Sequence, residues 1–183
     1  MSERFLLGRS TDILHLEAGE GILLDRIGTT LRVRRDDSQL AFGSMFIYAL
    51  GTGSVTVPVA ATDVFYQVGS GASFGVLYRV LFQNARELKV QIPGTYHVDW
   101  HMSIECASAN QEVEGALMLD GVAFTPLGSH GEIATASRPV ALGSTGLIAL
   151  GVDSLVSLAV LNHTTVHDLI VDHLNLAIER VGN

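Results

Sequence analysis

From Gly43 onward, short apolar or β-branched runs alternate with clusters of Gly, Ser, Asn and Asp. Strand-sized runs recurring about every 8–12 residues predict a β-sandwich or barrel. Strands are expected at Ser44–Ala49, Val55–Val59, Val64–Val68, Tyr78–Phe82, Glu87–Ile92, Gly94–Ala107, Glu112–Leu119, Pro139–Leu142, Thr145–Gly151, Leu155–Asn162 and Val166–Arg180. No segment carries a 3.6-residue apolar stripe with helix caps.

The clearest alternation is GTYHVDWHMSIEC, Gly94–Cys106. Period two puts Tyr96, Val98, Trp100, Met102, Ile104 and Cys106 on one face and His97, Asp99, His101, Ser103 and Glu105 on the other. The first row is expected in the core. The last run repeats the pattern, with Leu174, Leu176 and Ile178 inward and His173, Asn175 and Glu179 outward. Leu155–Leu161 is more continuously apolar, as in a strand covered on both faces.

Residues 1–40 differ. They hold six of the ten arginines, Arg4, Arg9, Arg26, Arg32, Arg34 and Arg35. Gly21–Ile27 and Thr30–Arg34 are spaced to pair as a β-hairpin around Gly28-Thr29. The expected division is an N-terminal arm over residues 1–40 and one β domain over residues 41–183.

Composition narrows the function classes. The 183 residues suit one core, and charged residues make up 16% against 48% hydrophobic, which argues against disorder. A net charge of −8 makes nucleic acid a poor partner, because phosphate binding needs a positive field. The single cysteine, Cys106, excludes an intrachain disulfide framework and is expected as a buried small hydrophobe. No secretory leader and no 20-residue apolar span is evident, so a soluble chain made in a cytoplasm is expected.

Candidate chemistry is sparse. His97, Asp99 and His101, joined by His163, His167, Asp168 and His173, are ligand types for a metal. Their alternation is equally that of a plain exposed or interface face, or of a titrating interface between copies. Gly-x-Ser-x-Gly is absent, and Gly69–Gly75 is one residue too long for a dinucleotide loop and reads as a flexible turn. Asn162-His-Thr is a glycosylation sequon, idle without a secretory route. Tyr48, Tyr66, Tyr78, Tyr96 and Trp100 are expected mostly at inward positions, which disfavours a glycan face. No catalytic residue, metal or cofactor is expected.

Several motifs in order carry a resemblance. Pro93-Gly94-Thr95-Tyr96 enters a long strand, Asp120-Gly121 turns one strand into its return, and Gly151-Val152-Asp153 joins two more before the closing strand. This resembles the jelly-roll domain of the complement globular-head and tumour-necrosis-factor superfamily. Val55–Val68, Phe82–Lys89, Ala109–Gly115 and Ser157–Thr164 also resemble a group of small structural proteins of tailed-phage virions, from about residue 44 to residue 182. The resemblance implies an all-β jelly-roll sandwich, a homotrimer and a virion location after assembly in the host cytoplasm. Mean hydropathy of +0.35 fits an apolar surface closed against another copy. Candidate seam residues are Leu155, Val156, Leu158, Val160, Leu161, Leu169 and Val171.

The function expected from this is non-enzymatic: a trimeric capsid decoration or cement protein. The alternative is a tail, fibre-tip or head-fibre module that recognises a host receptor or glycan. Expected partners are further copies of the chain and the major capsid protein or another virion protein, with no nucleic acid and no membrane. Phe5, Leu6, Leu7, Arg32, Arg34 and Arg35 are the candidate attachment residues. A depolymerase or metal-dependent hydrolase rests on the histidine rows alone.

Overall fold

The chain, seen in a computed structural model, is described over residues 4–7, 14–17, 22–27, 30–35, 40–48 and 53–182; before residue 41, side chains are described at 22, 24, 30–33 and 40. It divides into two compact units, Met1–Leu40 and Ala41–Asn183.

In the first unit, β1 (Arg4–Leu7) pairs with β2 (Leu14–Glu17), and β3 (Ile22–Ile27) pairs with β4 (Thr30–Arg35). Ile27 stands opposite Thr30, so Gly28-Thr29 is the two-residue connection of a hairpin.

The second unit contains β5 (Phe42–Tyr48), β6 (Val55–Val57), β7 (Tyr66–Gln67), β8 (Ser73–Tyr78), β9 (Val80–Gln83), β10 (Glu87–Val90), β11 (Gly94–Cys106), β12 (Gln111–Leu119), β13 (Val122–Ile133), β14 (Val140–Leu150), β15 (Leu155–Asn162) and β16 (Leu169–Gly182). They form two antiparallel sheets, ordered β14-β11-β16-β5-β8 and β13-β12-β15-β10-β9; β6 joins β16, and β7 joins β15. Neighbours far apart in sequence, such as β5 beside β16, are the crossovers of a jelly roll.

The core fills the space between the sheets. Tyr96, Val98, Trp100, Met102, Ile104, Cys106, Leu174, Leu176 and Ile178 are all at most 2% exposed. The Trp100 indole donates Nε1–H to the Leu127 carbonyl at 3.1 Å, and the Tyr96 hydroxyl donates to the Ile92 carbonyl at 2.7 Å. Each aromatic therefore buries its body without stranding its polar end. Gly115 makes room for the indole, because a Cβ there would lie 3.0 Å from the ring.

Several expectations change. Tyr78–Phe82 is not one strand: Arg79, at a φ of 53°, divides it between β8 and β9. Gly143-Ser144 does not break a strand, and β14 runs unbroken. A Cβ at Gly143 would stand 2.9 Å from the Trp100 carbonyl, so this glycine serves close approach of two strands rather than a turn. The end of the Gly69–Gly75 segment is part of β8. Finally, the expected seam residues Val156, Leu158, Val160, Leu169 and Val171 lie in the core of a single chain, and Leu161 is also buried. Only Leu155 of that set is partly open. Continuous apolarity in β15 reflects burial on both faces within the chain, not a surface kept for a copy.

Burial pushes the Tyr96 phenol above its ordinary value of 10.0, and the Arg180 guanidinium partly opposes this. A raised folded value means the stabilisation is complete below pH about 10 and is lost as pH rises through the folded value. Tyr96→Phe should flatten the alkaline limb of a stability–pH curve measured by urea unfolding, with a baseline loss of about 1 kcal/mol for the missing hydrogen bond. Trp100→Ala should cost about 3–5 kcal/mol in the same assay; near-native stability would contradict its core position.

Candidate functional site

The inward rows of β11 and β16 are spent on the core, so chemistry is left to the outward rows. Strand register fixes their neighbours. Leu147, His97, Glu179, Phe42 and Tyr78 form one cross-strand row over five strands. Thr145, Asp99, Ala177 and Ser44 form the next; then Gly143, His101, Asn175 and Phe46; then Ala141, Ser103, His173 and Tyr48. Polar side chains occupy the middle strands, and large apolar ones stand at the sides.

Local contacts hold this pattern. Thr145 gives its one hydroxyl proton to the Val98 carbonyl at 3.1 Å, so the His97 Nε2–H donates to the Thr145 oxygen at 2.9 Å. Phe42 stacks on Tyr78 with ring centres 5.7 Å apart, and His173 meets Tyr48 edge-on at 5.2 Å. The small side chains Ala177 and Ser44 leave a hollow of about 460 Å³ rimmed by Phe42, Val76, His97, Asp99 and Glu179. A second hollow, of about 380 Å³, is walled by Phe46, Tyr48, His101, His173 and Asn175.

The apolar exposure is concentrated. Val76 is 71% exposed, Tyr48 67%, Leu147 63%, Phe46 39% and Tyr78 38%, all associated with this one sheet. In the other sheet, the large apolar side chains left exposed among the described residues are Leu81 and Val122. Tyr48 and Tyr78 thus depart from the inward positions expected of them. In β5 it is Met45 and Ile47 that point inward, which turns Phe46 and Tyr48 out.

The histidines separate into two groups. His173 lies in the row beside that of His101, on the outward face. His163 belongs to the other sheet: its Nδ1 lies 2.7 Å from an Asp63 carboxylate oxygen and its Nε2 3.5 Å from one of Glu114. His130, opposite Glu114 across β12 and β13, meets the His163 ring at 5.2 Å. Sequence reasoning passed over His130 and Asp63, since only the strand register and the fold of residues 59–64 bring them to His163. Asp168 accepts the Val59 backbone N–H at 3.1 Å, a structural role. His167 sits exposed in the connection between β15 and β16. Among the described residues, no set of three or more His, Cys, Asp or Glu is placed to hold a metal ion.

Asn162 is fully buried. Its amide donates to Gln111 Oε1 at 3.2 Å and accepts from the Thr164 backbone N–H at 2.9 Å, while the Thr165 hydroxyl also donates to Gln111 Oε1. The sequon asparagine is a tether for the β15–β16 connection and has no free amide for a sugar. Of the expected attachment residues, Phe5, Leu6 and Leu7 lie in β1 and Arg34 and Arg35 in β4, with side chains outside the described residues; Arg32 in β4 is exposed.

Solved structures share this architecture. Eiger TNF from S. frugiperda superposes with a TM-score of 0.55 at 12% identity, covering 78% of this chain and 94% of that one. The fold is a tumour-necrosis-factor-like jelly roll. PRD1 vertex protein P5 matches with a TM-score of 0.51 at 14% identity, over 97% of this chain and 93% of that one. The globular domain of zebrafish complement 1qA reaches a TM-score of 0.48 at 12% identity, over 75% of this chain and 94% of that one. At these identities the likeness concerns the jelly roll and not what it is used for. No protein-family model and no curated protein matches the chain.

Proposed function

We propose that this jelly roll is a non-enzymatic virion structural protein, a homotrimer that decorates or cements a phage capsid. The observation that carries the reading is the concentration of exposed Phe46, Tyr48, Val76, Tyr78 and Leu147 on one sheet. Covering a Val, Leu or aromatic side chain is worth about 1.5–3 kcal/mol. Several such residues per copy rival the about 4–15 kcal/mol that association costs in lost motion. The seam of the trimer is this outward face, in place of the β15 residues.

Further support comes from the virion-protein motifs in the sequence and from the fold shared with PRD1 vertex protein P5. The mechanism is thermodynamic. Three copies on one particle multiply weak contacts into avidity, and binding to the assembled shell stabilises the shell by mass action. Residues 1–40 serve as the attachment segment, through Phe5, Leu6, Leu7, Arg32, Arg34 and Arg35, toward the major capsid protein or another virion protein. Neither nucleic acid nor a membrane is a partner in this reading.

A second reading, a tail, fibre-tip or head-fibre module for a host receptor or glycan, is favoured by one feature. The smaller hollow combines exposed Phe46 and Tyr48 with His101, His173 and Asn175, as a sugar-stacking site would. The two readings compete for one face, because a trimer seam covers that hollow.

Light scattering separates them. The full chain should run at three times its 19.5 kDa mass, and a Val76→Asp, Tyr48→Asp double variant should run as a folded monomer. A monomeric parent chain would remove the seam and the avidity together and leave the face open to a ligand. Deleting residues 1–40 should leave a trimer that no longer joins particles; undiminished capture by particles would place attachment elsewhere.

A further inference from the structure

We infer that association through this outward face is proton-controlled: copies hold together at neutral pH and separate as His101 and His173 take up protons. The inference rests on the seam proposed above and adds its regulation.

Both histidines wall the smaller hollow, and their neighbours there are Phe46, Tyr48 and Asn175. Across the strands, His101 stands opposite Gly143 and Asn175, and His173 stands opposite Ser103 and Tyr48. No carboxylate occupies either row. His97 differs in having Glu179 directly opposite it; Asp99 stands two residues along β11 from His97 and from His101 alike. A proton on His97 faces a carboxylate directly across the strands, whereas protons on His101 and His173 have none in their rows, the nearest acids along their own strands being Asp99 and Asp172.

The charged and titratable groups facing this region come from few strands. β11 supplies His97, Asp99, His101 and Glu105. β16 supplies His173 and Glu179, with Asp172 as the extra residue of the bulge opposite Ser103/Ile104. Tyr48 and Tyr78 stand on β5 and β8, and the Arg79 guanidinium lies over the Tyr78 ring at 5.4 Å, at the far corner. Arg180, at the end of β16, donates Nε–H to the Pro93 carbonyl at 2.9 Å. The outward residues of β14 are Ala141, Gly143, Thr145 and Leu147, none of which titrates.

When another copy covers the hollow, water leaves it. A neutral imidazole fits such a site, and an imidazolium there loses hydration with no acid in its row to replace it. Protons therefore bind the separate chain better than the assembled one. By linkage, association weakens as pH falls and these imidazoles take up protons. Asp99, Glu105 and Glu179 push the other way, because their mutual repulsion in an assembly would be relieved by protonated histidines. The direction of the pH effect is thus a real discriminator between the two halves of the face.

The test is the mass distribution of the full chain by sedimentation at constant ionic strength from pH 8 to pH 5, with circular dichroism to confirm that the sandwich stays folded. The expected result is a trimer at pH 7–8 whose dissociation constant rises by about tenfold or more by pH 5. His101→Gln with His173→Gln should remove that response, and His97→Gln should keep it. Association that is unchanged or tighter at pH 5 would overturn the inference while leaving the trimer intact. A monomer at every pH would overturn the seam reading itself, and this one with it. Should the double variant fail to assemble, calorimetric dilution of the parent chain at pH 6.5, in buffers of different ionisation enthalpy, decides. Proton uptake on dissociation supports the inference, and its absence overturns it.

Discussion

The long strand β11 sets the constraint on which the rest of the main unit depends. It is hydrogen-bonded to β14 on one side and β16 on the other along almost its whole length. Every second side chain must then be apolar enough for a sealed core and every other one tolerant of the outside. A slip of one residue would drive His97, Asp99 and His101 against β12 and β15 and expel Trp100, so the register has no near competitor. Trp100, Gly115 and Gly143 lock it further, because the indole and the neighbouring backbone occupy space that only glycines leave free.

The same alternation explains why the face is two-toned. The middle strands carry histidines, carboxylates and an amide, while β5, β8 and β14 put aromatic and aliphatic groups outward at its sides. A sheet of a soluble sandwich usually solvates its outer face throughout. Large apolar side chains at the flanks, beside edge strands β8 and β14, invite a cover that also protects those edges. That is the physical basis of the proposal that a further copy covers this face.

Much of the fold was legible because a strand's period is short and local. The rows of β11 and of Leu174, Leu176 and Ile178 could be assigned from spacing alone. What escaped required knowledge of partners. β15 looked like an interface because continuous apolarity does not say whether the cover comes from the same chain. β8 was hidden in a Gly-Ser run whose glycines serve close packing, with Gly75 pressed on Ser44 and Gly71 on Val55. Tyr48 and Tyr78 escaped because a tyrosine is equally at home on either side of a sheet. The pairing of His163 with Asp63 and Glu114 joins residues about a hundred and about fifty positions apart, which no periodicity encodes.

The chain's single tryptophan is the one sealed between the sheets. Its indole is shielded from solvent and fixed by the Leu127 carbonyl, on the opposite side of β11 from the histidines and exposed aromatics. Its emission is therefore a label built into the sandwich, responding to the opening of the core and indifferent to protons or neighbours arriving on the outer surface. Opening of the sandwich changes that emission, while an event confined to the outer surface leaves it as it was.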